Sequence, residues 1–398
     1  MNALVAHGGG PTAVINASLA GLVEECRRGP FLTLYGARFG VDGVLNENWL
    51  DLLACDADRI ANIAGAPGSA LGSSRRRLSD DDYDRMLALF RRRGIRCFFY
   101  TGGNGSMSTV AEVARRARAA GFEFQVIGIP KTIDNDLCLT DHTPGYPSTA
   151  HFSAAAARDV GEDNRSLPSP ICVLETLGRN AGWIAASTCF ARRNPLDGSD
   201  DAPHLIYFPE RPLSLDRIAA DVEGVYRRLG RAVVAVCEGQ LDDQSLPFGA
   251  DVDRAGDPAH RLSSNLGHTL ARLLHERLGI RARAEKPGLF GRSCGEFATA
   301  LDRREAWECG KAAAIAAAGG HADVMIAIRR DSDDPYRSST FLAPLDAVAC
   351  TERLLPPDWI AEAGNNVAGP FIRYANPLLP PLKHYPRLAD GGLWEHSR

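Results

Sequence analysis

Several common signatures are missing from this sequence, and each absence narrows what the chain can be. Its ten cysteines stand singly, with no Cys-x-x-Cys pair and no Cys/His group at metal-ligand spacing. That argues against a disulfide framework or a zinc site, and for reduced, mostly buried thiols in a cytosolic protein. No apolar run approaches the ~20 residues of a membrane helix. The N-terminus enters a strand-like run directly, without the basic and apolar regions of a signal peptide, so a cytoplasmic location is expected. Neither charge sign dominates. The net charge of -4 argues against nucleic acid or an acidic membrane as the main partner. There is no Gly-Lys-Ser/Thr P-loop and no Gly-x-Gly-x-x-Gly fingerprint, which disfavours a dinucleotide-dependent reductase. His7, His142 and His151 have no Ser or Cys partner at readable spacing, so a hydrolytic triad is unsupported. Nothing repeats at solenoid periods.

What is present is a globular chain, 45% apolar and 24% charged over 398 residues, with room for two or three domain-sized units. Strand-like runs are Ala3–Ala6, Phe31–Tyr35, Cys97–Tyr100, Val126–Ile129, Ile171–Leu174, Leu205–Phe208, Ala232–Cys237 and Val324–Ile328. Helical patterns cover Asn16–Arg28, Asp80–Arg93, Thr109–Ala120, Leu215–Leu229, Leu266–Leu278 and Arg303–Ala318. Continuous apolar strands alternating with amphipathic helices predict an α/β fold of parallel sheets covered on both faces. Ligands in such sheets bind beyond the carboxyl ends of the strands. The segment Asp242–Arg261 reads as an irregular loop or crossover, and the Pro-rich tail from Pro356 as surface packing or an oligomer arm.

Turns at strand ends carry the chemistry. Gly8-Gly9-Gly10 follows the first strand and opens a helix, so bare backbone and free N–H groups are available to an anion. Gly102-Gly103-Asn104-Gly105-Ser106 repeats the device, with Ser106 or Ser108 as the expected helix cap. Lys131-Thr132-Ile133-Asp134-Asn135-Asp136 is the most specific signal. Asp134 is suited to take a proton from an attacking hydroxyl, Asp136 to help hold Mg²⁺ beside phosphates, and Lys131 to neutralise charge on a transferred phosphoryl group. Gly178-Arg179 offers a guanidinium to a phosphate or sugar, and Glu238 a carboxylate to sugar hydroxyls. Arg281, Arg283, Lys286 and Arg292 form a basic cluster without interleaved aromatics, better suited to a sugar phosphate than to nucleic acid. Arg75 lies in a run of arginines able to clamp a phosphate.

Taken in order from Gly8 to about Arg292, these motifs resemble the phosphofructokinase family. Gly-Gly-Pro-Thr-Ala-Val-Ile-Asn at positions 9–16, with Pro-Lys-Thr-Ile-Asp-Asn-Asp at 130–136, is similar to its pyrophosphate-dependent branch. The resemblance implies two similar three-layer α/β domains with mainly parallel sheets and the active site in the cleft between them. The expected division gives 1–140 plus about 262–305 to the phosphoryl donor, and 141–261 plus about 306–398 to the sugar phosphate. The implied reaction is Mg²⁺-dependent transfer from pyrophosphate to the 1-hydroxyl of fructose 6-phosphate, by a homodimer or homotetramer. By the same resemblance Asp134 is the base, assisted by Lys131 and Thr132. The donor lies on Gly10, Gly103, Gly105, Ser106 and Arg75. Thr132, Asp134, Asp136, Leu177, Gly178, Arg179, Glu238, Arg283 and Arg292 hold the acceptor, and Asn104 and Asp136 hold the metal.

Some positions depart from the family pattern. Lys131 favours pyrophosphate, whereas Gly105 is the residue of ATP-dependent members. Asn104 replaces an acid, Leu289-Phe290-Gly291 lacks the usual His or Tyr, and Pro168-Ser169-Pro170 stands where a cross-subunit cation is common. These leave open an ATP-dependent kinase, a seven-carbon acceptor such as sedoheptulose 7-phosphate, and a non-catalytic sugar-phosphate-binding regulatory subunit.

Overall fold

The computed structural model describes residues 1–167, 170–246, 248, 265–349 and 351–388. Its strands are β1 (Asn2–His7), β2 (Thr33–Ala37), β3 (Trp49–Asp51), β4 (Ile95–Gly102), β5 (Gln125–Pro130), β6 (Ile171–Thr176), β7 (Leu205–Tyr207), β8 (Ala232–Cys237), β9 (Ala282–Glu285), β10 (Val324–Asp333) and β11 (Tyr336–Pro344). They form a seven-stranded sheet, ordered β11-β10-β5-β4-β1-β2-β3, and a four-stranded sheet, ordered β7-β8-β6-β9. Among the described strands only β11 and β3, at the two edges of the larger sheet, run antiparallel to their neighbours.

Both sheets are covered on both faces, as near-continuous apolar strands require. On one face of the larger sheet Leu4, Phe98 and Val126 pack against Phe90 and Val110 of helices Asp80–Arg92 and Asn104–Ala119. On the other, Val5, Phe99 and Ile127 pack against Leu22 and Ala313 of helices Ile15–Arg28 and Ala300–Ala318. Those two helices cross at van der Waals range through glycine. A Cβ on Gly310 would sit 1.9 Å from the Ser18 carbonyl oxygen, and one on Gly21 2.1 Å from that of Trp307. In the smaller sheet Val173 and Val234 meet Val222 and Leu270 of helices Leu215–Leu229 and Leu266–Leu278. Its opposite face is closed by Tyr146 and Ala150 of helix Tyr146–Ser166.

The division of the chain differs from the expected one. Helix Ala300–Ala318, β10 and β11 build the first sheet, because β10 pairs with β5 (Val324↔Ile127). Helix Leu266–Leu278 and β9 build the second, because β9 pairs with β6 (Cys172↔Arg283). Farther along the chain, Leu355, Phe371, Tyr374 and Leu378 enter the core beside Trp183 and Phe208. Most of Asp242–Arg261, and Pro168 and Ser169, lie outside the described residues. No described helix is long and apolar enough to cross a membrane.

Candidate active site

The carboxyl ends of β1, β4 and β5 in one sheet and of β6 and β8 in the other converge, and the turns singled out above meet there. After β1, Gly9 adopts φ 75°, a left-handed conformation that favours glycine. A Cβ on Gly10 would lie 2.6 Å from Arg292 Nη1 and 3.3 Å from Arg75 Nη2. Lys131 Nζ donates to the Gly10 carbonyl at 2.7 Å. Three cations thus crowd one bare turn. Burial lowers Lys131 to about 8, with Arg292 and Arg75 pushing the same way against Asp134 and Asp136. Burial and Arg75 lower Arg292 as well. Cations held this close repel each other unless a polyanion lies among them. Arg292, expected on the sugar phosphate, thus stands against the Gly10 turn.

The turn after β5 is fixed from several directions. Asn135 is fully buried at φ 56°, a conformation asparagine tolerates. Its amide donates to the Tyr374 hydroxyl at 2.9 Å and its carbonyl oxygen accepts from Thr143 N at 3.0 Å. Thr132 Oγ1 accepts from Asp134 N at 3.1 Å, and the Asp136 carbonyl accepts from Arg353 N at 2.8 Å. Asp134 and Asp136 are thereby set on either side of a locked residue. Burial raises Asp134 to about 7; Asp136 and Glu238 add to that rise, while Arg179 and Lys131 oppose it. A carboxylate poised near neutrality, with cations beside it, suits a general base.

Asn104 opens helix Asn104–Ala119, and the cap is Gly103 rather than a serine. The Asn104 amide donates to the Asp136 carbonyl oxygen at 3.0 Å and to its carboxylate Oδ2 at 2.9 Å. Asn104 Oδ1 and Asp136 Oδ1 are buried without a partner among the described residues. Two such oxygens are hard-cation ligands that leave most positions to water and phosphate, the usual habit of Mg²⁺. Gly103 lies beside Thr132, its Cβ position 3.4 Å from that of the threonine. Gly105 faces open space, with no described atom within 4 Å of where a Cβ would stand. The Ser106 side chain is turned inward. It bonds the buried Tyr100 hydroxyl, and its Oγ would be 2.0 Å from a Cβ on Gly102. Its Oγ therefore packs between the Gly8 and Gly102 turns.

On the second sheet Gly178 and Arg179 adopt φ 134° and 50°. A Cβ on Gly239 would lie 1.7 Å from the Arg179 carbonyl oxygen, so the Glu238-Gly239 turn abuts the arginine turn. Burial raises Glu238, with Lys286 opposing and Glu175 adding. Leu177 approaches Gly291, its Cδ1 3.7 Å from the Cβ position there. Lys286 Nζ pairs with Glu175 Oε1 at 2.6 Å, a contact that sequence alone does not signal. Arg283 does not join Arg292. It sits opposite Cys172, near the start of β6, about four residues or ~13 Å of strand from the carboxyl end. There it pairs with Asp163, apart from the other cations expected around the acceptor.

Comparison with known proteins agrees with this geometry. The family model described as Phosphofructokinase matches residues 2–317. A pyrophosphate–fructose 6-phosphate 1-phosphotransferase of Rhodospirillum rubrum is 38% identical over 94% of this chain and 93% of its own. A sulfofructose kinase of Alkalicoccus urumqiensis is 30% identical, covering 91% and 92%. The crystal structure of a pyrophosphate-dependent phosphofructokinase from Nitrosospira multiformis superposes with a TM-score of 0.85 at 31% identity, over 97% of this chain and 93% of that one. The motifs, the paired α/β sheets and these likenesses agree: the chain belongs to the phosphofructokinase family.

Proposed function

We propose that the protein is a phosphotransferase that moves a phosphoryl group from pyrophosphate to the 1-hydroxyl of fructose 6-phosphate. The observation that carries this is the buried Lys131 ammonium bonded to the Gly10 carbonyl, with Arg75 and Arg292 over the same turn. That pocket is dense in charge and occupied by a side chain where a larger donor would need room, which suits a small phosphate donor. Asp134 takes the proton of the sugar hydroxyl as its oxygen attacks the terminal phosphorus. The bridging P–O bond breaks, inorganic phosphate leaves, and the cations neutralise the departing charge. Arg179 and Glu238 orient the sugar. Mg²⁺, typical of the family, would be held by Asn104 Oδ1 and Asp136 Oδ1, where it supplies charge neutralisation on the phosphates.

The open face at Gly105 favours a second reading, an ATP-dependent enzyme, since no described atom there obstructs a nucleotide. Arg283, expected on the acceptor's terminal anion, pairs with Asp163, and this favours a third reading with a related acceptor. One assay decides among these. Pyrophosphate and ATP are crossed with fructose 6-phosphate, sedoheptulose 7-phosphate and 6-deoxy-6-sulfofructose at saturating Mg²⁺. The expected result is fastest turnover with pyrophosphate and fructose 6-phosphate. Turnover several-fold faster with ATP refutes the donor assignment.

A further inference from the structure

His7, the last residue of β1, is fully buried and has no role in the mechanism above. Its Nδ1 lies 2.7 Å from Ser69 Oγ, and Ser69 Oγ donates to the Gly72 carbonyl at 2.7 Å. A hydroxyl has one proton, so Ser69 accepts from His7 and Nδ1 carries the hydrogen. Burial, with Lys131 adding, keeps the imidazole neutral by lowering it to about 3. Nε2 is therefore a bare acceptor, and it is buried without a partner among the described residues.

Thr101 stands directly opposite His7 in the β1–β4 register. Paired positions on neighbouring strands point to the same face. Thr101 is also buried, and its Oγ1 likewise has no described partner. Ile129 is registered against Thr101 on β5, and Lys131 follows two residues later, on the same face by the strand alternation. Two unpartnered polar atoms and an ammonium bonded to the Gly10 carbonyl thus share one side of the sheet beneath the donor turn. Buried polar atoms left without a protein partner are commonly satisfied by a buried water.

We propose that His7 is a positioning residue for Lys131: its Nε2 lone pair, through a buried water shared with Thr101, fixes the direction in which the ammonium meets pyrophosphate. The inference rests on the donor assignment made above.

The test uses two substitutions that split the imidazole between them. His7→Asn keeps an amide near Nδ1, for Ser69, and discards the acceptor at Nε2. His7→Gln places an amide oxygen near Nε2 and discards the Ser69 contact. Steady-state constants for each substrate are measured on both, with melting temperatures to confirm folding. A hydrogen bond to a charged group contributes on a scale that converts to about tenfold or more. His7→Asn is expected to lower kcat/KM for pyrophosphate about tenfold while the sugar-phosphate KM stays within about twofold. His7→Gln is expected to recover most of that loss, and Thr101→Val to show a smaller loss of the same kind. A residue that only anchors the Ser69 loop gives the reverse order, Asn better than Gln; that order, equal losses or no loss overturns the proposal. A wild type that uses ATP instead of pyrophosphate overturns the donor assignment and this proposal together. Reversed variants in a pyrophosphate-using wild type overturn this proposal alone.

Discussion

On the roles proposed for Asp134 and Lys131, their ionisation is expected to set a narrow pH window for activity. Asp134 must be ionised to accept the hydroxyl proton, so the rate rises as pH climbs through its value of about 7. Lys131 must be protonated to neutralise the donor, so the rate falls as pH climbs through about 8. The productive form, with Asp134 ionised and Lys131 protonated, is therefore most populated between those two values and falls off on either side, about tenfold per pH unit well outside the window. The neighbouring charges then predict how each limb moves. Glu238 raises Asp134, so Glu238→Gln shifts the acid limb to lower pH. Arg75 lowers Lys131, so Arg75→Gln shifts the alkaline limb to higher pH. The assay is kcat/KM from about pH 5 to 10 at constant ionic strength, each variant divided by the wild type. Substrate ionisation is common to both and cancels in that ratio. Limbs that stay in place in both variants, or that move in the opposite directions, would refute the assignment of these two groups.

Other substitutions probe the remaining parts. Asp134→Asn preserves shape and removes the proton acceptor, so kcat is expected to fall about 10²–10⁴-fold with little change in sugar-phosphate KM; near-full activity would pass the role to Asp136. Arg292 lies against Gly10 and beside Arg75, so Arg292→Ala should raise KM for pyrophosphate as well as for the sugar phosphate, and an effect confined to the sugar would place its guanidinium elsewhere. Gly105→Asp meets no described neighbour; it should leave thermal stability unchanged and suppress any residual use of ATP, which a donor competition assay reads. Gly310→Ala forces a methyl against the Ser18 carbonyl oxygen, and overpacking of that kind should cost about 1–3 kcal/mol, seen as a lower urea midpoint.

The fold is legible in the sequence wherever a segment buries one stripe or one continuous run. Helices Leu215–Leu229 and Leu266–Leu278 and strand β8 coincide with their expected limits. The long helix Tyr146–Ser166 leaves no such pattern because it is rich in small residues and sandwiched between neighbours. Its buried positions include Tyr146, Ser148, Ala150, Ser153, Ala157 and Gly161, which draw no clean apolar stripe. Strand β11 is hidden for a different reason. Its residues Tyr336–Thr340 are largely polar and only partly buried, and the antiparallel ladder with β10, rather than an apolar face, holds them.

The site divides along the same line between what is local and what depends on pairing. Gly10, Lys131, Asp134, Asp136, Arg179 and Glu238 each follow an apolar strand closely, and a strand's carboxyl end is a position that sequence alone can identify. Arg283 and Arg292 look equivalent along the chain because both are cations a few residues apart. Their separation comes from the register of β9 on β6, which sets Arg283 opposite Cys172 and delivers only the turn beyond it to the cleft. Register is fixed by partners distant in sequence, so charge spacing along one segment carries no trace of it. The same limit hides the exchange of the C-terminal segments between the sheets, since β10 chooses β5 through contacts almost 200 residues apart (Val324↔Ile127). His7 shows the converse. Its position at a strand end is plain, yet the role proposed for it turns on a nitrogen without a partner among the described residues, and only the surrounding structure shows that.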